Sequence, residues 1–193
     1  MHRLANSNRT QRKPNRLPSA CYCAPSTYFV TICCDRRRNL LSNASLARHL
    51  QVLLNDTSSK HSLRVHASCF MPDHFHGLFV PQNDSADLIA AVRNFKGAST
   101  AAARQLGVHR LWQKGFYDHI LRADDSLNSV AWYILNPVRA GLVRSPMEWP
   151  FCSFSYPNWK VTPVSFDRYV PDWKNARPET EASRRTPERA TRP

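Results

Sequence analysis

The sequence predicts an α+β domain of the ferredoxin-like type: an antiparallel βαββαβ sheet with one further helix at its C-terminal end, which carries a tyrosine. Three observations point there. Four short runs are β-branched or aromatic, two longer segments with apolar residues at helical spacing follow the first and third of them, and a last helical segment follows the fourth.

TYFVTICC (27–34) is the first strand. Asn43 and Ser45 are possible N-caps for a helix with Leu46, Leu50, Leu53 and Leu54 on one face. Residues 63–70 form a second strand and 75–80 a third, joined tightly through Met71, Pro72 and Asp73. Ser85 can cap a second helix with Leu88, Val92 and Phe95 on one side, ending near Gly107. Residues 116–122 make a fourth strand. Asp124, Asp125 and Ser126 then open the last helix, where acids suit the positive end of the helix dipole. In this order the first two helices cover one sheet face and leave the other open to a ligand.

The 193 residues suffice for one domain with tails, and a hydrophobic fraction of 42% provides a core. The formal net charge of +13 points to polyanionic partners, nucleic acid first. No apolar run approaches the ~20 residues of a spanning helix, and the N-terminus lacks the apolar core of a signal peptide. The cysteines at 21, 23, 33, 34, 69 and 152 contain no C-x-x-C pair and read as reduced thiols of a cytosolic protein. The spacing of Cys21, Cys23 and His66 gives little support for a zinc site.

Residues 1–24 read as a basic disordered arm, the first twenty holding five Arg or Lys and no acid. Residues 25–160 form the folded domain. Residues 161–193 are an extension, disordered from about 175, where Pro, Arg, Glu and Ser dominate.

FMPDHFHGLF (70–79) sets His74 and His76 on one strand face, with Phe75, Gly77 and Phe79 on the other. Two imidazoles so placed can hold a divalent metal, and two nitrogens with room for oxygens suit Mg²⁺ or Mn²⁺ on a phosphate better than structural zinc. A surface histidine pair is the plainer alternative. In SLNSVAWYILNP (126–137), Leu127, Val130, Ala131 and Ile134 form an apolar stripe, and Tyr133 lies roughly 120° from its centre. Its hydroxyl could reach a neighbouring site, although a tyrosine packed at a helix edge is the common case. A phenol with its ordinary pKa near 10 is a poor nucleophile, so it needs help from a metal on the attacked phosphate. Arg93, Lys96 and Arg104 lie off the apolar stripe of the second helix and could meet phosphates or simply face water. Arg36, Arg37 and Arg38 form a charge run open to the same two readings. His119 shares a strand face with Tyr117 and is a further candidate DNA contact, with an ordinary sheet-surface residue as the plainer reading.

MPDHFHGLFV resembles the M-P-x-H-x-H-x-L core of the single-tyrosine HUH transposases, with Phe75 as the bulky residue between the histidines. LWQKGFYDHILRADDSLNSVAWYILNPVRAGLV (111–143) and WPFCSFS (149–155) are similar to the C-terminal half of the REP-associated tyrosine transposases, an IS200-like group. The resemblance runs from about Tyr28 to Phe154.

It implies a DNA transposase that cuts and rejoins single-stranded DNA without ATP. Tyr133 would be the nucleophile and form a 5′-phosphotyrosine, while His74 and His76 hold the metal, with Asn136 as candidate third ligand. Single-stranded or hairpin DNA would be the partner, bound by a bacterial, cytoplasmic, nucleoid-associated protein acting as monomer or homodimer. The family tyrosine usually stands four residues before the Asn of the Asn-Pro pair; here Tyr133 stands three before Asn136, and Trp132 occupies the place that counting back by four would assign. Positions three and four apart share a helix face, so the ligand role is compatible with this spacing. Asn136 reads equally as an N-cap with Pro137 following. The alternative function is a non-catalytic hairpin-binding protein derived from such a transposase.

Overall fold

The computed structural model describes residues 26–121, 125, 127–134, 137–145 and 148–155, without the side chains of Asn128 and Trp132. The expected basic arm, the C-terminal extension, Cys21, Cys23, Asp124, Ser126 and Asn136 lie outside the described residues.

Eight main elements follow one another as β1 (Tyr28–Cys33), α1 (Ala44–Lys60), β2 (Leu63–Met71), β3 (His74–Pro81), α2 (Leu88–Gln105), β4 (Tyr117–Ile120), α3 (Leu127–Ile134) and β5 (Cys152–Phe154). The sheet order is β4-β1-β3-β2-β5, and every neighbouring pair is antiparallel. β3 thus lies between β1 and β2, the strands that α1 connects, which is the split βαβ arrangement. The predicted fold stands, with one added edge strand: β5 comes from WPFCSFS and pairs with the end of β2. Three residues with no alternation of their own give no strand signal in sequence.

The Asn43 carboxamide accepts from the Leu46 N–H at 3.0 Å and starts α1 as expected. The second cap falls two residues later than Ser85. Asp87 accepts from the Ala90 N–H at 2.8 Å, while the Ser85 hydroxyl is taken up by Asn83 in the preceding turn. At the far end Gly107 adopts φ +78, a conformation that Gly enters at no steric cost.

One core lies between α1, α2 and the sheet, where Tyr28, Val30, Ile32, Phe70, Phe75, Phe79, Leu50 and Phe95 are buried. Each such side chain contributes about 1.5–3 kcal/mol by leaving water. A second, smaller core lies on the opposite face, where α3 sets Val130, Ala131 and Ile134 on Phe29, Ala67, Cys69, Met71 and Leu78. The face expected to be open is therefore partly roofed by α3.

β2 serves both cores through a bulge. Val65 pairs with Phe79, and Ala67 pairs with the next residue, Leu78, so His66 is the extra residue. That insertion reverses the facing of every later side chain: Leu63 and Val65 join the α1/α2 core, whereas Ala67, Cys69 and Met71 join the α3 side.

Gly77 lies between two phenyl rings. A Cβ there would stand 2.6 Å from Phe75 Cζ and 2.7 Å from Phe79 Cε2. Absence of a side chain at this place lets both rings seat against the helices while His74 and His76 point the other way.

Cys33, Cys34, Cys69 and Cys152 are thiols. Burial, aided by the Asp73 charge, pushes the Cys34 thiol up to about 12, in keeping with its role as a small apolar residue. No helix among the described residues is long and apolar enough to cross a membrane.

Candidate active site

The two-residue loop of Pro72 and Asp73 joins Met71 to His74, which pair across the β2–β3 hairpin. Pro72 presets its φ for such a turn. The Pro72 and Asp73 carbonyls accept from the N–H groups of Leu41 and Cys34, each at 2.9 Å, so the loop is docked on the end of β1. His74 and His76 then open β3 on the α3 face, 9% and 4% exposed. Near-complete burial argues against the surface-pair reading of these two rings.

Their Nε2 atoms face each other at 2.9 Å. The far nitrogens are engaged elsewhere: Asp73 Oδ1 holds His74 Nδ1 at 2.5 Å, and the Thr31 hydroxyl meets His76 Nδ1 at 2.9 Å. A carboxylate only accepts, so Nδ1 of neutral His74 carries the hydrogen and its Nε2 presents a lone pair. The Thr31 hydroxyl can donate or accept, and so supports either tautomer of His76. Asp73 is braced in turn by Arg37, whose Nη1 lies 3.3 Å from Oδ2.

This arrangement fits a divalent cation. Two nitrogens bound cis to one ion at about 2.1 Å stand about 3 Å apart, close to the observed spacing. The carboxylate and hydroxyl behind the imidazoles are the supports that orient metal-binding histidines. Among the described residues no third His, Cys, Asp or Glu joins the pair. Further ligands would be oxygens from water, from substrate or from residues outside those described, Asn136 among them, a set open to Mg²⁺ or Mn²⁺.

Tyr133 lies half-buried on α3 above this face. Its ring centroid is 6.0 Å from that of His76 and 5.9 Å from that of Phe29, and the Phe29 and His76 centroids are 5.5 Å apart, so the three rings form one cluster. The Arg139 guanidinium sits over the Tyr133 ring, 4.4 Å from its centroid.

A second tyrosine shares the face. Tyr117 stands opposite Thr31 in the β1–β4 register and His119 opposite Phe29, so both project toward the α3 side. Burial, then the Asp118 charge and Tyr133, raise the Tyr117 phenol above its ordinary pKa of 10.0. That makes it a poorer source of phenolate. His119 Nε2 is 3.8 Å from Asp125 at the start of α3.

The other sequence candidates divide by location. Arg37 belongs to the histidine site through Asp73. Arg36 is exposed beside it, and both adopt positive φ, 54 and 57, at a cost of about 1–2 kcal/mol per residue. α2 covers the far face of the sheet, so Arg93, Lys96 and Arg104 do not gather with the histidines. Arg93 and Arg104 are exposed, and the Lys96 ammonium donates to the Gln113 and Gly115 carbonyls. Sequence reasoning missed Thr31 and Arg139. Thr31 is the polar residue inside an otherwise apolar strand, a usable signal; nothing marks Arg139 until α3 is folded onto the sheet.

Comparison with known proteins identifies the family and the fold. A family model described as "Transposase IS200 like" matches residues 24–137. A REP-associated tyrosine transposase of Escherichia coli K12 is 26% identical over 136 residues, covering 69% of this chain and 79% of its own length. A Haemophilus influenzae protein assigned provisionally to the same group is 29% identical over 159 residues, or 76% of this chain and 86% of its own. The solved structure of a REP-associated tyrosine transposase bound to a REP hairpin superposes with a TM-score of 0.61 at 25% identity, covering 75% of this chain and 91% of that one. With the family model spanning more than half of the chain, the protein belongs to the IS200-like transposase family.

Proposed function

We propose that this transposase cleaves and rejoins single-stranded DNA beside a hairpin, with Tyr133 as nucleophile. The observation that carries the reading is the 6.0 Å approach of the Tyr133 ring to His76, one member of a buried imidazole pair shaped to hold a cation.

The phenolic oxygen attacks a backbone phosphorus as its proton departs. The bond from phosphorus to the 3′ oxygen breaks, and that oxygen leaves as a 3′-OH. The product is a 5′-phosphotyrosine, which a second 3′-OH reverses with no external energy, because one phosphodiester is exchanged for another. His74 and His76 would hold the divalent ion, Mg²⁺ or Mn²⁺, which when bound supplies Lewis-acid polarisation of the phosphate oxygens. Asp73 and Thr31 fix the imidazole orientations, and Phe29 packs against the Tyr133 ring. Residues 25–160 form the catalytic domain in this reading, and the basic arm follows phosphates outside it. Hairpin DNA as the partner is supported by the solved relative with a bound REP hairpin.

A second reading, hairpin binding without cleavage, draws on the three-residue spacing from Tyr133 to Asn136. Hairpin DNAs labelled at the 5′ or the 3′ end, incubated with protein and Mn²⁺, separate the two. Cleavage predicts that label 3′ of the cut migrates with denatured protein and that label 5′ of it is released with a free 3′-OH. Retarded complexes that dissociate fully on denaturation support the second reading.

A further inference from the structure

Beyond the end of β1 lies an open cleft of about 620 Å³ lined by Asp35, Arg36, Lys96, Arg110, Trp112, Gln113 and Lys114. We propose that this cleft is a second DNA-contact site, one that holds the phosphodiester backbone of the single strand leading away from the histidine pair.

The charge balance is one-sided. Arg36, Arg110 and Lys114 are exposed cations, and the cleft's acid, Asp35, is already paired with Arg38 at 3.0 Å. Arg38 also donates to the Arg110 carbonyl at 3.3 Å, which fixes one rim to the other. The Lys96 ammonium closes the floor on the Gln113 and Gly115 carbonyls.

The walls are tied together by backbone hydrogen bonds and are continuous with the histidine site. Cys34 forms a bridge with Trp112, the Gln113 N–H donates to the Cys33 carbonyl at 2.9 Å, and the Asp35 N–H donates to the Leu111 carbonyl at 2.8 Å. On its other side Cys34 donates to the Asp73 carbonyl, and Cys33 pairs with His74. The same two residues therefore brace both the cleft and the metal-binding turn. The backbone between them explains how adjacent arginines serve two places. With Arg36 and Arg37 both at positive φ, Arg37 reaches back to Asp73 while Arg36 lines the cleft. Strain at such a turn persists where the surrounding structure dictates it, and it clusters at functional sites.

The inference rests on reading the protein as one that handles single-stranded DNA, and its test is separable from that of the nucleophile. Binding of a fluorescein-labelled thymidine oligonucleotide is measured across a salt series in EDTA, where no cleavage occurs. The full chain is compared with the triple variant Arg36→Gln, Arg110→Gln, Lys114→Gln. A control triple, Arg48→Gln, Lys60→Gln, Arg64→Gln, removes equal charge from exposed positions outside the cleft. Each single-strand phosphate contact adds about 0.7 to the slope of log affinity against log salt. The cleft triple should therefore flatten the slope by about 2, the control triple by far less, and each cleft single by about a third of the triple's change. Equal flattening by the two triples would reduce the cleft to part of the net charge and overturn the inference. The covalent-adduct yield of the unaltered chain reads the nucleophile separately. If adduct fails while the slopes still differ, the cleft stands and the Tyr133 reading falls.

Discussion

His74 and His76 face each other through Nε2 atoms 2.9 Å apart, while Asp73 and Thr31 hold their far nitrogens. Without a metal one ring donates its Nε2–H to the other; loss of that proton would leave two lone pairs converging on a shared cation. Calorimetry with Mn²⁺ on the DNA-free protein should show one site, abolished in His74→Ala and in His76→Ala. Asp73→Asn keeps the shape and loses the carboxylate, and should weaken binding about 10- to 100-fold. Affinity unchanged by Asp73→Asn would mean that the carboxylate plays no part in holding the metal.

Arg139 covers the Tyr133 ring at 4.4 Å. An exposed cation–π contact is worth about 0.5–1 kcal/mol. Arg139→Ala should therefore slow adduct formation by about two- to five-fold, with Arg139→Lys between it and the wild type. Single-turnover rates at saturating DNA read this directly, because at saturation a pure binding role leaves the rate unchanged.

Gly77→Ala places a methyl against Phe75 and Phe79. Overpacking of this kind costs about 1–3 kcal/mol, and the denaturant midpoint should fall accordingly. Because the strand also carries the histidines, Mn²⁺ affinity should fall with it.

Burial, with the nearby Arg64 charge, lowers the His66 imidazole from its usual 6.5. The unfolded chain takes up a proton at this residue as pH drops through 6.5, and the folded chain resists it. Stability linked to His66 is thus complete above pH 6.5 and is lost as pH falls from there toward the folded value. Urea denaturation at neutral and mildly acidic pH should show a loss for the wild type that is smaller in His66→Gln. Parallel pH profiles would contradict the assignment.

Much of this architecture is legible in the chain because its signals are local. TYFVTICC, the leucine spacing of α1 and the Pro72-Asp73 turn each declare their own element, and the period of two puts His74 and His76 on one face. Tyr133 is readable as a flank residue from α3's apolar stripe. What escapes depends on distant pairing. The β5 strand exists because the end of β2 offers an edge, the His66 bulge because β2 must serve two cores, and the Thr31 contact with His76 because β1 pairs with β3. Arg36 and Arg37 look like one charge run in sequence, and only the positive-φ turn sends them apart.

In the proposed reaction Tyr133 bonds to DNA at a site organised by the histidine pair. The most direct measurement is mass spectrometry of the nuclease-trimmed covalent product from hairpin DNA and Mn²⁺, with Tyr133→Phe, Tyr117→Phe and His74→Ala alongside. A nucleotide is expected on the peptide containing Tyr133, retained in Tyr117→Phe and absent from Tyr133→Phe and His74→Ala. A nucleotide on Tyr117, or an adduct that survives Tyr133→Phe, would contradict it.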